Sequence, residues 1–302
     1  MLIALASLKG SPGVTTLAVA LAMQWPEAAH VRRLVAEMDP SGGDLAMRFG
    51  LPTTPGLVSL AAAARRTRDP AMVWEHTQVL PGGARVLPAP PGGVHARAAL
   101  TTLTAAPDGP VLDATAREPG VLVLADCGRI DPGSPAESLA RRADALVLVT
   151  GTYGDDLAHV ATRLSALSRW TPRPALLLTG LGYPTRDVER ELGVPTIGRI
   201  PHDPATAAAL AGHRPPGRRR SALASSVATL ARTLAAPQES GTASSGLASV
   251  PGVPAQQVRN PAGTVTGPPD SGGFLRSPRE AETASSRNGH GANGLPGMEF
   301  PL

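Results

Sequence analysis

The sequence predicts an α/β fold, a mostly parallel sheet with helices on both faces. It places that sheet in a single domain over residues 1–236 and predicts a disordered tail over 237–302. Three observations lead there. The runs LIALA, RLVAEM, VLVLA, ALVLVT and ALLLT recur along the chain and alternate with Ala- and Leu-rich segments of helical length. Most of these runs are apolar throughout, as strands buried on both faces are, whereas a strand with one wet face would alternate. From Pro237 onward Pro, Gly, Ser and Thr prevail with few large apolar side chains, so that stretch buries too little to offset the entropy of ordering it.

Met1 to Ser7 is an apolar run that stops at a Gly-containing turn, as a buried parallel strand does. Thr15 to Gln24, rich in Ala and Leu, reads as a helix. Arg33 to Met38 is a second strand, followed by Asp39-Pro40, and Leu57 to Arg66 is helical. Two short strands near Gln78 to Leu80 and Ala84 to Leu87 flank the turn Pro81-Gly82-Gly83. Val121 to Ala125 is the clearest central strand, which Asp126 is expected to terminate. Ala145 to Thr150 and Ala175 to Thr179 follow, with a helix over Asp155 to Arg169 between them, then a short strand at Thr196 to Ile200. Ala205 to Ala211 and Ser221 to Ala235 read as helices, and Leu223, Val227, Leu230 and Leu234 fall on one face of the second.

Composition bounds the class. Hydrophobic residues are 42% of the chain and aromatic residues only 3%, so the core must be built from Ala, Val and Leu. The formal charge of +4 is mild for 302 residues. Lys9 is the only lysine; every other basic position is arginine. Cys127, the single cysteine, excludes an internal disulfide and is compatible with a reducing cytoplasm. The first apolar run has no basic segment before it and no small-residue cleavage pattern after Lys9, so it reads as a strand rather than a signal peptide. No apolar stretch approaches the roughly 20 residues of a membrane-spanning helix. A soluble, cytoplasmic protein without direct membrane insertion is expected.

The chemistry-bearing segments lie at strand ends. Lys9-Gly10-Ser11-Pro12-Gly13-Val14-Thr15-Thr16 follows the first strand with a Gly-containing turn and a Thr-Thr pair opening a helix, the setting of a phosphate-binding loop. The general pattern ends G-K-[ST], with the lysine on the β/γ-phosphates and the hydroxyl on Mg2+. Val14 occupies the lysine position. Glu37-Met38-Asp39-Pro40-Ser41 follows the second strand, Asp126-Cys127-Gly128 follows the central one, and Gly198-Arg199-Ile200-Pro201-His202-Asp203 stands near the last strand. Each segment has a plainer reading: a tight strand-to-helix turn that binds nothing, an Asp-Pro turn capping a helix near Asp44, an acidic strand end, a surface turn. Cys127 reads as a packed side chain and His202 as a turn residue, since no partner at catalytic or metal spacing accompanies either.

In this order the segments resemble the ParA/MinD family, the deviant Walker A proteins among the P-loop NTPases, over about Met1 to Ala236. The family's loop, X-K-G-G-X-X-K-[ST], is matched by Lys9-Gly10, Gly13 and Thr15; Ser11 replaces a glycine and Val14 the second lysine. Asp39 matches the carboxylate of the family's D-x-D-P-Q segment that positions the attacking water, with Glu37 in the place of the first aspartate. Val121 to Asp126 resembles the Walker B strand, and Ile200-Pro201 the family's G-x-I-P-x-D beside the adenine. Thr179-Gly180 stands where relatives often carry a base-reading asparagine.

The resemblance implies ATP and Mg2+ as ligands. It implies a nucleotide site of Lys9, Gly10, Ser11, Pro12, Gly13, Val14, Thr15, Thr16, Asp126 and Pro201, with Mg2+ on Thr15 and Asp126 and with Lys9 and Asp39 in catalysis. Lys9 would act across a homodimer on the partner's nucleotide. Without the cis lysine, a charge-assisted phosphate contact worth about 1.5–3 kcal/mol is missing. Weak binding by a monomer, better binding by a dimer and slow hydrolysis follow, unless an arginine such as Arg129 or Arg199 substitutes.

Two functions are implied. One is a nucleotide-dependent switch that, with a protein partner, positions chromosomes or plasmids, division sites, or pilus and secretion machinery. The other is a non-hydrolysing scaffold of the same fold that localises such machinery. Arg214, Arg218, Arg219 and Arg220 form a basic cluster that relatives of the ParA type would use on DNA non-specifically; a solvated helix start is the competing reading.

Overall fold

The apolar runs assemble into one eight-stranded sheet. The computed structural model describes residues 1–10, 13–26, 30, 32–80, 83–105, 109–167, 169–210 and 221–236. Ser11, Pro12, the arginines at 214 and 218–220, and the predicted tail over 237–302 lie outside the described residues.

The chain runs β1 (Leu2–Ser7), α1 (Val14–Gln24), β2 (Arg32–Glu37), α2 (Leu45–Arg48), α3 (Leu57–Ala63), a 3-10 helix (Pro70–His76), β3 (Gln78–Val79) and β4 (Arg85–Leu87). It continues with α4 (Gly93–Thr104), α5 (Val111–Arg117), β5 (Val121–Arg129), α6 (Glu137–Ala140), β6 (Ala145–Thr152), α7 (Gly154–Leu167), β7 (Pro174–Gly182), α8 (Thr185–Leu192), β8 (Thr196–Ile200), α9 (Pro204–Leu210) and α10 (Ala222–Ala235). Strand order is β3-β4-β2-β5-β1-β6-β7-β8. Among the described residues only the β3–β4 pair is antiparallel. That edge hairpin arises from the Gly-containing turn, which is too short for a parallel crossover. β1 therefore sits between β5 and β6, and the strand order runs outward from it in both directions. Such a switch point opens a crevice beyond the carboxyl ends of the strands.

Period-two alternation divides the core. Leu2, Ala4 and Ala6 of β1 join a layer with Leu60 of α3, Leu100 of α4 and Leu112 of α5. Ile3 and Leu5 face the other way, into a layer with Leu17 and Leu21 of α1 and Leu230 of α10. Helices thus cover both faces, as the uniformly apolar strands require. The expected stripe of α10 is buried along Leu223, Val227, Leu230 and Leu234, and the Ser221 hydroxyl caps the helix by accepting from the Ala224 N–H at 2.9 Å. α1 is buried nearly all round, because sheet and α10 enclose it; the Trp25-Pro26 step ends it.

One expectation is overturned. Asp126 does not terminate β5: the strand continues to Arg129, with Asp126 paired in register to Leu5 and Glu37. Both flanking strands extend that far, so the ladder holds a charged residue that would end an isolated strand. The segments forming α4, α5 and α8 were not anticipated as helices; their Gly, Pro and charged residues mask a periodicity that becomes apparent only against the sheet. Among the described residues, no helix is long and apolar enough to cross a membrane.

Candidate functional site

The segment after β1 builds one wall. The Ser7 hydroxyl donates to the carbonyls of Gly10, at 3.3 Å, and Gly128, at 3.4 Å, tying the loop to the end of β5. Gly13, at φ +87°, takes the left-handed conformation that lets the chain turn straight into α1. Its carbonyl accepts from the Leu17 N–H at 2.9 Å, and having no side chain it caps none of the first-turn amides. The amino end of α1 thus presents uncapped N–H donors, with the positive end of the helix dipole behind them.

Two cavities flank that helix end, and Gly13 and Thr16 line both. The first, of about 400 Å³, is largely apolar and includes Leu17, Ala20, Ile200, Pro201 and Val227. Its polar rim is largely committed: the Thr179 hydroxyl donates to the Thr150 carbonyl at 3.1 Å, and Asp203 accepts from the Thr206 N–H at 3.0 Å and hydroxyl at 2.9 Å. The second, of about 660 Å³, is polar and brings Thr15, Asp39 and Asp126 together with Glu37, Asp44, Arg48 and Arg129.

The carboxylates of the polar cavity differ in role. Asp126 is buried, lies beside the Thr15 side chain and accepts from the Gly128 N–H at 3.1 Å. Burial raises its carboxyl to about 6; the neighbouring Thr15 side chain and the Gly128 N–H oppose the rise and the Asp39 charge adds to it. Asp39 accepts from the Ser41 N–H at 2.7 Å and lies against Gly128, where a Cβ would stand 1.8 Å from its Oδ2. Gly128 is at φ +56°, so both space and backbone require glycine there.

Glu37 is a structural clamp. Its Oε1 accepts from the N–H groups of Asp44 (2.8 Å) and Leu45 (2.9 Å), and its Oε2 from that of Ala89 (2.9 Å). One buried carboxylate thereby caps α2 and fastens the loop between β4 and α4 to the end of β2. Burial pushes it up to about 7, the three N–H donors pull the other way, and repulsion from Asp126 adds to the rise.

Two positions differ from the loop pattern. Val14 is 5% exposed: it packs into the layer around α1 and also lines the polar cavity, so the lysine position holds an apolar side chain at the cavity wall. Lys9 does not line the polar cavity. It pairs with Asp155 at the start of α7, beside a third cavity shared with Gly10, Tyr153, Leu181 and His202. Of the two arginines named as substitutes, Arg129 lines the polar cavity, while Arg199 donates instead to the Tyr183 carbonyl at 2.5 Å. Cys127 is buried and burial pushes its thiol up, as suits a packed side chain. Among the described residues no group of three His, Cys, Asp or Glu is arranged to hold a metal. The Thr15–Asp126 pair fits Mg2+ nonetheless, because this ion takes one or two protein oxygens and fills its shell with water and phosphate. Arg48, Pro91 and Gly92 were missed from the sequence; only the fold-back of α2 and of the β4–α4 loop brings them to the cavity.

No protein-family model matches the chain, and no curated protein matches it in sequence. Solved structures do. The septum site-determining protein MinD with Mg-ADP from Pyrococcus horikoshii OT3 superposes with a TM-score of 0.63 at 18% identity, over 77% of this chain and 95% of that one. The cell division ATPase MinD of Pyrococcus furiosus gives 0.63 at 20% identity, over 77% and 97%. A ParA family ATPase from Chlorobium tepidum TLS gives 0.60 at 18%, over 77% and 98%. The sheet order, the loop after β1 and the helix layers thus form the fold of MinD and of ParA family ATPases.

Proposed function

We propose that this protein binds ATP with Mg2+ across the two neighbouring cavities that share Gly13 and Thr16 and acts as a nucleotide-dependent dimeric switch that positions a cargo, hydrolysing ATP slowly. One observation carries the reading: the uncapped amino end of α1 stands between an apolar and a polar cavity, with Thr15 and the buried Asp126 side by side in the polar one. An apolar chamber beside a helix N-terminus suits a base and its phosphates. Thr15 and Asp126 hold Mg2+, which neutralises phosphate charge. Asp39, braced on Gly128, orients the attacking water, and Pro201 borders the base. The similar MinD structure with Mg-ADP and the ATPases of the same fold support this ligand class.

In this proposal Lys9 leaves Asp155 to meet the partner protomer's nucleotide, and a protein partner sets the cargo and the timing. The division into residues 1–236 and 237–302, a cytoplasmic setting and a non-specific DNA contact through Arg214, Arg218, Arg219 and Arg220 belong to the same reading. A second reading, a non-hydrolysing scaffold, is favoured by Val14, a core residue where phosphate-binding loops carry their cation.

A titration of the full-length chain with Mg-ATP, followed by calorimetry and by light scattering for mass, tests the switch. Wild type should bind and shift toward a dimer. Thr15→Ala should weaken binding, and Lys9→Ala should remove the dimer shift while leaving monomer binding. Absence of both binding and turnover would leave only the scaffold.

A further inference from the structure

Loss of the loop lysine leaves an electrostatic deficit that the cavity makes plain. Its lining carries four carboxylates, Glu37, Asp39, Asp44 and Asp126, and two guanidinium groups, Arg48 and Arg129. A triphosphate entering beside four acids requires cationic partners besides Mg2+. Val14, packed in the core, supplies none.

We propose that Arg48, at the last turn of α2, supplies the cis cation for the nucleotide phosphates. The inference rests on the nucleotide-binding reading above. Arg48 lines the same cavity as Gly13, Thr15 and Asp126, and its charge acts on Asp126. Its side chain is 23% exposed, so it is sheltered but open to the cavity. Among the described contacts its guanidinium makes one ion pair, to Asp44 at 2.9 Å. Asp44 is itself 66% exposed, an exchangeable partner that water can replace. A guanidinium has five donors in a planar fork, suited to bridging two phosphate oxygens.

The placement is rigid. Leu45 and Ala46 of α2 are buried, and the helix is held at its start by the Glu37 carboxylate, itself fixed at the end of β2. β2 neighbours β5, which carries Asp126, so Arg48 and the Thr15–Asp126 pair are set by one frame. Arg129 is the weaker candidate. Its Nε and Nη2 both donate to Asp131, at 3.3 and 3.2 Å, and its side chain is 57% exposed.

Mg-ATP titration of the full-length chain decides the matter. Arg48→Ala should weaken binding roughly tenfold to a hundredfold, the range for a lost charge-assisted phosphate contact. Arg48→Lys, which keeps the charge, should lose less. Asp44→Asn removes the ion pair but not the cation and should bind at least as tightly as wild type. Adding Val14→Lys to Arg48→Ala should recover most of the loss, with Arg129→Ala the smaller effect throughout. Should Asp44→Asn weaken binding as much as Arg48→Ala, Arg48 acts only by bracing α2 and the proposal is overturned. Equal binding by wild type and Arg48→Ala, or a larger loss in Arg129→Ala, overturns it as well. Circular dichroism melts identify any variant that unfolds, and Arg48→Lys then carries the comparison. A wild-type chain that binds no Mg-ATP refutes the nucleotide reading itself, a result distinct from all of these.

Discussion

Replacing Glu37 by Gln perturbs the clamp beneath the site, where one buried carboxylate accepts from three backbone N–H groups. Glutamine keeps the shape and one acceptor oxygen, which can still take the Asp44 and Leu45 N–H groups. Its amide NH2 then meets the Ala89 N–H, donor against donor, where Oε2 accepted at 2.9 Å. A buried N–H left without a partner costs about 1–3 kcal/mol. The pH dependence is more telling. Burial lifts the Glu37 carboxyl from its ordinary 4.5 to about 7 in the folded chain, so the native state binds this proton more tightly than the unfolded one. The associated stability is fully present below the unfolded value and is lost as pH rises through the folded one. The span corresponds to roughly 3 kcal/mol. Asp126, raised to about 6, has the same sign and is present in both proteins, so their difference reports Glu37 together with its mutual repulsion with Asp126.

The assay is urea unfolding of wild type and Glu37→Gln without Mg2+ or nucleotide, at steps from about pH 4 to about pH 8. Wild type should have its greatest advantage, or smallest deficit, at the acid end. That margin should shrink by roughly 3 kcal/mol as pH rises through about 7. A difference that stays constant across the range would refute the argument that burial outweighs the three N–H donors.

Two further perturbations test the frame and the Asp39–Gly128 end of the polar cavity. Leu21→Ala, in the fully buried middle of α1, should cost about 2–5 kcal/mol in urea unfolding, and a loss well under 1 kcal/mol would contradict its placement between the sheet and α10. Gly128→Ala should destabilise by about 1–3 kcal/mol, because its Cβ meets Asp39 Oδ2 at 1.8 Å on a left-handed backbone. It should also cut ATP turnover by displacing Asp39, and unchanged melting with unchanged turnover would count against that contact.

Much of this arrangement was legible beforehand. Strands buried on both faces carry their own signature, so β1, β2, β5, β6 and β7 could be read from apolar runs alone. The apolar stripe of α10 could be read too, since a 3.6-residue period survives without tertiary context. The loop after β1 was legible because a strand, glycines and a Thr-Thr helix start are all local chemistry. What lay hidden were contacts between segments far apart in the chain. Glu37 looked like a displaced site carboxylate, yet its oxygens are taken by N–H groups seven, eight and 52 residues away.

Val14 and Lys9 mark the boundary most sharply. That Val14 lacks a charge, and that Lys9 is the only lysine, is evident from the sequence by itself, and so is the cationic deficit of the loop. That Val14 is a core residue, that Lys9 faces Asp155 outside the polar cavity, and that Arg48 faces into it were decided by tertiary structure alone. The physical reason is reach. Side-chain identity and backbone propensity act within a few residues, whereas the field at a site is the sum of charges that folding gathers from across the sheet.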